Sequence, residues 1–299
     1  MKSIEEIVSK AKAIDTQTLV VAVADDPHVL EAVEMARKDD IVKPILVGNK
    51  GKIETILNDL NFVVADYEII DEVDEVKACQ IAVEFVHNHE NSFLMKGLVA
   101  TSTILSQALN KEYGLRTSNR ISHVSAMEVP THHKLLFMTD GAMNIAPTLD
   151  EKRQIIENSV TIAKAIGIET PKVGMIGAVE KVNPKMEATL DAAELIKMNQ
   201  EGIIKGCSVS GPYAIDNAIN KEAAKHKGIE HPDAGEIDIL VMPRIEAGNV
   251  FYKTMMFLAN AKSASVIAGA SKPIVLTSRA DSAQSKYYSI ALGAVVAHN

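Results

Sequence analysis

The sequence contains no tryptophan, and aromatic residues make up only 4% of its 299 positions, so its strands have to be read from aliphatic side chains. Cysteine is nearly as scarce: Cys79 and Cys207 stand far apart, which fits neither a disulfide framework nor a metal-ligand spacing and points to a reducing compartment. The opening MKSIEEIVSKAKAID reads as an acidic amphipathic helix without an apolar leader segment or cleavage signal. No stretch approaches the roughly 18 apolar residues that a membrane span requires, so a cytoplasmic protein is expected. Positive charge is in deficit, with a net charge of −8; this argues against nucleic acid as a partner and leaves room for a local anion site built from a few focused cations. Nucleotide fingerprints are missing as well. The GNKGK run from Gly48 to Lys52 lacks Walker spacing, and no G-x-G-x-x-G follows a strand.

What is present is an ordinary globular composition, 47% hydrophobic and 23% charged, on a length that suits two medium domains with a cleft between them. Short aliphatic runs alternate with longer helical patterns, the signature of βαβ units on a mostly parallel sheet. Strands are expected at 18–24, 45–47, 67–70, 93–95, 123–128, 134–139, 172–176, 202–204, 237–242, 265–267 and 273–277. Helices are expected at 27–39, 52–60, 75–88, 149–167, 184–199, 214–227, 249–260 and 283–297. The pair His132 and His133 falls between two strands of a hairpin; adjacent strand residues face opposite ways and no acid cluster lies nearby, so no metal site is expected there. Cys207 has no histidine partner in sequence and reads as a buried small residue.

Three segments place chemistry directly after a strand. In KPIVLTSRADSAQSK an apolar strand delivers Thr277, Ser278, Arg279, Asp281 and Ser282 into the turn before a helix, where open α/β sheets collect ligands and helix amides favour anions. The same residues also suit a simpler role, with Asp281 or Ser282 capping the helix and Arg279 in a surface pair. In MPRIEAGNVFYK the strand is followed by Arg244, Glu246, Gly248, Asn249 as a helix cap, and Lys253, either a binding loop or a well-capped turn. In MKGLVATST, Lys96 and Gly97 precede Thr101 and Ser102 at a helix start, either an anion-binding turn or a capped helix with a surface lysine.

Taken together, KGLVATS, GPYAIDNAI, PRIEAGNVFYK, AKSASVIAGA and PIVLTSRADS resemble the phosphate acetyltransferase and phosphate butyryltransferase family over most of the chain. LTSRADS and KGLVATS look like its butyryl branch. The resemblance implies a fold similar to the isocitrate and isopropylmalate dehydrogenases: two α/β/α domains around a cleft, with 1–137 and 263–299 forming a discontinuous first domain and 138–262 the second. It also implies a homodimer or higher homo-oligomer, no metal and no bound redox cofactor, and coenzyme A as a substrate rather than a cofactor. The implied reaction converts acyl-CoA and phosphate to acyl phosphate and CoA, by direct attack while both are bound.

By that resemblance Ser278 stabilises the transition state and Arg279 contacts substrate. The catalytic aspartate of the acetyl branch corresponds to Ser285, which leaves Asp281 as the nearest carboxylate. An arginine of that branch corresponds to Ser106, which leaves Lys96, Arg120 or Arg244 to hold phosphate. A phosphate acetyltransferase, a dehydrogenase of the same fold and a CoA-binding protein without turnover are the alternatives. The dehydrogenase would need grouped metal-binding aspartates, which the sequence does not offer.

Overall fold

In the computed structural model, which describes residues 1–278 and 281–299, the aliphatic runs become strands and the amphipathic ones become helices, alternating along the chain. The first stretch gives α1 (Ile4–Lys12), β1 (Gln17–Ala22), α2 (Pro27–Lys38), β2 (Val42–Gly48), α3 (Lys50–Asp59), β3 (Glu68–Asp71), α4 (Glu75–Asn88), β4 (Ser92–Lys96) and α5 (Thr101–Ala108). The middle gives β5 (Ser122–Glu128), β6 (Leu136–Thr139), α6 (Leu149–Ala165), β7 (Lys172–Ile176), α7 (Glu187–Gln200), β8 (Ser208–Tyr213), α8 (Ile215–Ile219), α9 (Lys221–His226), β9 (Ile239–Val241) and α10 (Ile245–Phe257). The chain closes with β10 (Lys262–Ala268), β11 (Ile274–Val275) and α11 (Ala283–His298). The α/β class expected from the alternation is the one found. No helix among the described residues is long and apolar enough to cross a membrane.

Two compact units result, one of Ile4–Asn119 with Ser263–Asn299 and one of Met1–Ser3 with Arg120–Lys262. The sequence reading places the first boundary at 137 instead of 119. The difference is residues 120–137, and its cause is a hairpin: β5 and β6 pair antiparallel, with Ser125 opposite Met138 and Met127 opposite Leu136, so β5 stays with β6.

In the first unit the strand order is β3-β2-β1-β4-β11-β10, parallel from β3 to β11 with β10 antiparallel at the end. Leu19 to Ala22 of β1 are fully buried, as a central parallel strand covered on both faces should be. Helix α11 is buried continuously from Lys286 to Val295. It can press onto the sheet because Gly293 has no side chain: a Cβ there would lie 2.8 Å from Phe93 Cε2 and Val275 Cγ2.

In the second unit the order is β5-β6-β9-β7-β8. Its core gathers Met127, Leu136, Met138, Leu240 and Tyr213, against which Phe251, Tyr252 and Met255 of α10 pack. Three sequence expectations fail here. Residues 202–204 are no strand; they end α7, where Gly202 takes φ 73° and the Ile203 N–H donates to Met198 O at 2.8 Å, a glycine-based helix cap. The helix expected over 214–227 is split at Asn220, whose side chain caps α9 through the Ala223 N–H. The helix expected to begin at Asn249 begins at Ile245, with Arg244 extended as its N-cap residue.

Candidate functional site

The parallel registers of the first unit bring three strand ends to one edge. Ala22 of β1 pairs with Lys96 of β4, and Met95 of β4 pairs with Val275 of β11, so the turns that follow β1, β4 and β11 leave the sheet side by side. Outside the carboxyl ends of parallel strands is where such sheets hold ligands.

The first two turns are pressed together main chain to main chain. Val23 takes φ 57°, a left-handed conformation that β-branched residues avoid, and it is held there by the neighbouring turn. The Gly97 N–H donates to Ala22 O at 2.9 Å and the Leu98 N–H to Val23 O at 2.8 Å. A Cβ on residue 97 would lie 2.0 Å from Val23 O, so the approach requires glycine. Lys96, 5% exposed, donates from Nζ to Gly97 O at 3.0 Å and Val99 O at 3.2 Å. It is therefore no surface lysine; it braces its own turn from below. Thr101 and Ser102 open α5, half-buried and exposed respectively. The N-cap of that helix is Ala100, which makes no side-chain cap bond, so the expected side-chain capping is absent.

The third turn runs from Thr277 to Ser282. The Ser278 N–H donates to Asp281 Oδ2 at 2.7 Å and the Asp281 N–H returns to Ser278 O at 3.2 Å, so the aspartate folds back on the serine's main chain. Ser282, not Asp281, caps α11, its Oγ accepting the Ser285 N–H at 3.2 Å. Arg279 lies outside the described residues. Beneath the turn, Lys286 Nζ donates to Ser278 O at 2.8 Å and Asp281 O at 3.1 Å. A cavity of about 10 Å³ joins the turns, lined by Asp26, Lys96, Gly97, Thr277, Ser278 and Lys286 among others. That volume suits one water, so this is a water-sized polar cavity and not a substrate pocket.

The structure thus brings Lys96, Ser278 and Asp281 together from segments about 180 residues apart in sequence and places Thr101 and Ser102 at the start of the adjoining helix. Sequence reasoning missed Asp26 and Lys286. A signal existed for each. Asp26 precedes Pro27, the N-cap pattern, and accepts the Val29 N–H at 2.9 Å. Lys286 is a cation near the positive end of a helix dipole, where lysine is disfavoured.

The segment after β9 behaves differently. Gly248 lies inside α10 against the turn at 140–141, where a Cβ would stand 2.3 Å from Asp140 O; it is needed for helix packing, not for ligand approach. Asn249 is likewise inside the helix, its Nδ2 donating to Gly141 O at 3.2 Å. Asp140, buried, organises that turn by accepting the N–H groups of Ala142, Met143 and Asn144. Arg244 is exposed and paired with Glu187 at 2.7 Å, Glu246 is exposed, and Lys253 Nζ lies 5.9 Å over the Phe257 ring. Arg120, also of this unit, is engaged by Asn144 Oδ1 at 2.7 Å and Glu151 at 2.9 Å. Burial holds the Cys207 thiol up at about 11, which keeps it protonated and unreactive near neutral pH.

Comparison with known proteins gives this architecture relatives across its whole length. The model of a family described as phosphate acetyl/butaryl transferase matches residues 3–81 and 64–294. A phosphate butyryltransferase of Clostridium acetobutylicum is 50% identical over 299 residues, covering 100% of this chain and 99% of the relative. A phosphate acetyltransferase of Thermotoga maritima is 48% identical over 294 residues, covering 98% and 99%. Among solved structures, a branched-chain phosphotransacylase from Enterococcus faecalis V583 superposes with a TM-score of 0.84 at 32% identity, covering 95% of this chain and 100% of the other.

Proposed function

Since this chain belongs to the phosphate acetyl/butaryl transferase family, we propose that it transfers a short acyl group between coenzyme A and inorganic phosphate. The observation that carries the reading is the meeting of Lys96 and Ser278 at one cavity, at the strand ends where a sheet of this kind takes ligands. A phosphate oxygen attacks the thioester carbonyl carbon; the new C–O bond forms, the C–S bond breaks, and the sulfur leaves as a thiolate that takes up a proton. Holding both substrates at once replaces a bimolecular encounter with a local one.

Ser278 supplies a hydroxyl donor to the oxyanion that develops on the carbonyl, and Arg279 next to it contacts substrate. Asp281 enters as the residue that shapes the serine's turn, because its carboxylate is already committed to the Ser278 amide. Lys96 and the amide end at Thr101 and Ser102 favour the anionic phosphate. Arg244, Glu246, Asn249 and Lys253 are proposed as further substrate-binding residues. Resemblance at LTSRADS and KGLVATS favours a butyryl or branched-chain acyl group over acetyl. Relatives at 50% and 48% identity carry different acyl names, so rates must decide. The same reading takes the protein to be a cytoplasmic homodimer or larger homo-oligomer, which light scattering on the purified protein checks.

Thiol release from acetyl-, butyryl- and isobutyryl-CoA in the presence of phosphate tests the reading. The four-carbon thioesters are expected to give the higher kcat/KM; acetyl-CoA turned over fastest would move the protein to the acetyl side. Ser278→Ala is expected to lower kcat by roughly 10²-fold with little change in KM for acyl-CoA, and Arg279→Ala to raise the apparent KM for phosphate or CoA. Equal turnover by Ser278→Ala and wild type would take the serine out of the scheme.

A further inference from the structure

Helix α11 contains a charge that its position does not favour. With Ser282 as N-cap, Lys286 is the fourth helical residue, close to the end where the dipole repels a cation. It is 3% exposed, and from Tyr287 to Val295 every residue after it is buried and uncharged. Burial pushes its ammonium below the ordinary lysine value, with Asp281 and Asp26 acting in the opposite direction. Packing alone would be served as well by methionine. The charge is kept for what it bonds.

Those bonds go to Ser278 O and Asp281 O, the two ends of the turn on which the serine sits. Ser278 O therefore takes two donors, the Lys286 ammonium and the Asp281 amide, while the Ser278 amide is spent on Asp281 Oδ2. Both the carbonyl and the amide of the serine are thereby engaged. Among the described residues, the charged groups that face Lys286 are Asp281 on the turn, Asp26 at the start of α2 and Lys96 at the end of β4. Glu5 of α1 and Asp39 after α2 bond Tyr288 and Tyr287 of α11 instead.

We propose that Lys286 is a positioning residue for acyl transfer: its ammonium clamps the turn between Ser278 and Asp281 and so fixes the serine relative to the reacting carbonyl. This rests on the acyl-transfer reading above. A misplacement of about 1 Å at a reacting group costs on the order of 10²-fold in rate, which is the scale on which such a clamp acts.

The test compares full-length wild type, Lys286→Met and Lys286→Arg by thiol release from butyryl-CoA with phosphate across pH 7 to about 10.4, the ordinary lysine value, and by amide hydrogen exchange at the peptide containing Ser278. Lys286→Met is expected to lower kcat by at least about tenfold while KM for butyryl-CoA stays within about twofold, to shift Tm by less than about 4 °C, and to speed exchange at Ser278. Lys286→Arg, which keeps the charge, is expected to restore most of the rate. The wild-type kcat should fall on the alkaline side below pH 10.4 as Lys286 loses its proton, and the arginine variant should lack that fall. Wild-type kcat in Lys286→Met, or the same alkaline fall in wild type and Lys286→Arg, overturns the proposal. Should Lys286→Met fail to fold, the arginine profile still decides. If wild type releases no thiol from any acyl-CoA, the acyl-transfer reading fails on its own, and exchange at Ser278 still reports on the clamp: unchanged exchange in Lys286→Met rejects it.

Discussion

Two βα turns of this protein, one after β11 and one after β9, look alike in sequence and differ in what surrounds their polar residues. After β11, Ser278 and Asp281 are half-buried and bonded to each other and to a lysine that is 3% exposed. After β9, the Arg244 and Glu187 side chains are 59% and 69% exposed and pair with each other. A glycine pressed against main chain stands near each, Gly97 in the turn after β4 and Gly248 inside α10. A glycine and a run of polar residues after a strand therefore mark a tight turn. Polar groups withdrawn from water and tied to carbonyls are what distinguish a built site, because an unpaired buried group is expensive to keep.

The largest change expected to break this contrast is Gly97→Ala. Its Cβ would meet a backbone oxygen that cannot rotate away, so chemical denaturation should show a loss of about 3 kcal/mol or more; wild-type stability would mean that the turns after β1 and β4 part easily. A smaller effect sharpens the comparison through two carboxylates that both bond an arginine. Burial raises Glu34, but hydrogen bonds from Arg37, Tyr67 and Lys38 outweigh it and hold the carboxyl at about 2. Its side chain is 5% exposed. Glu34→Gln should cost about 2 kcal/mol at neutral pH. Because the folded value is depressed, that contribution is present above the unfolded value of about 4.3 and disappears as pH falls toward about 2, so wild type and variant should converge in acid unfolding curves. The smallest effect belongs to Arg244→Ala. Its partner Glu187 is also held below the usual carboxylate range by Arg244, yet both are open to solvent, and the melting temperature should stay at the wild-type value. A higher KM for acyl-CoA in that variant is what the proposed substrate contact predicts, and an unchanged KM would remove Arg244 from it.

Much of the scaffold was readable because a parallel sheet writes itself as aliphatic runs: β4, β5 and β7 fall within a residue of their expected bounds, and α4 falls on them. Strand β8 escaped since SVSGPY carries Gly211 and Pro212, residues that weaken a strand pattern; its edge place appears in the strand order and in no local pattern. The Gly202-Ile203-Ile204 run misled because isoleucines after a helix-ending glycine resemble a strand start. At the candidate site, Ser278 and Lys96 stood out in sequence as polar residues at strand ends. Their meeting was not, because it depends on β4 and β11 being neighbours. Lys286 was hidden for a related reason: its partners are carbonyl oxygens, which every residue possesses, so the bond leaves no trace in residue type.

The contact between Gly97 and Val23 also bears on how this protein can vary. What fills the space of the missing side chain is peptide backbone, and no exchange of amino acid at position 23 removes a carbonyl. A lineage or a laboratory library seeking new acyl preferences therefore finds position 97 closed to a side chain unless the backbone around Val23 shifts, and searches along the side chains around it.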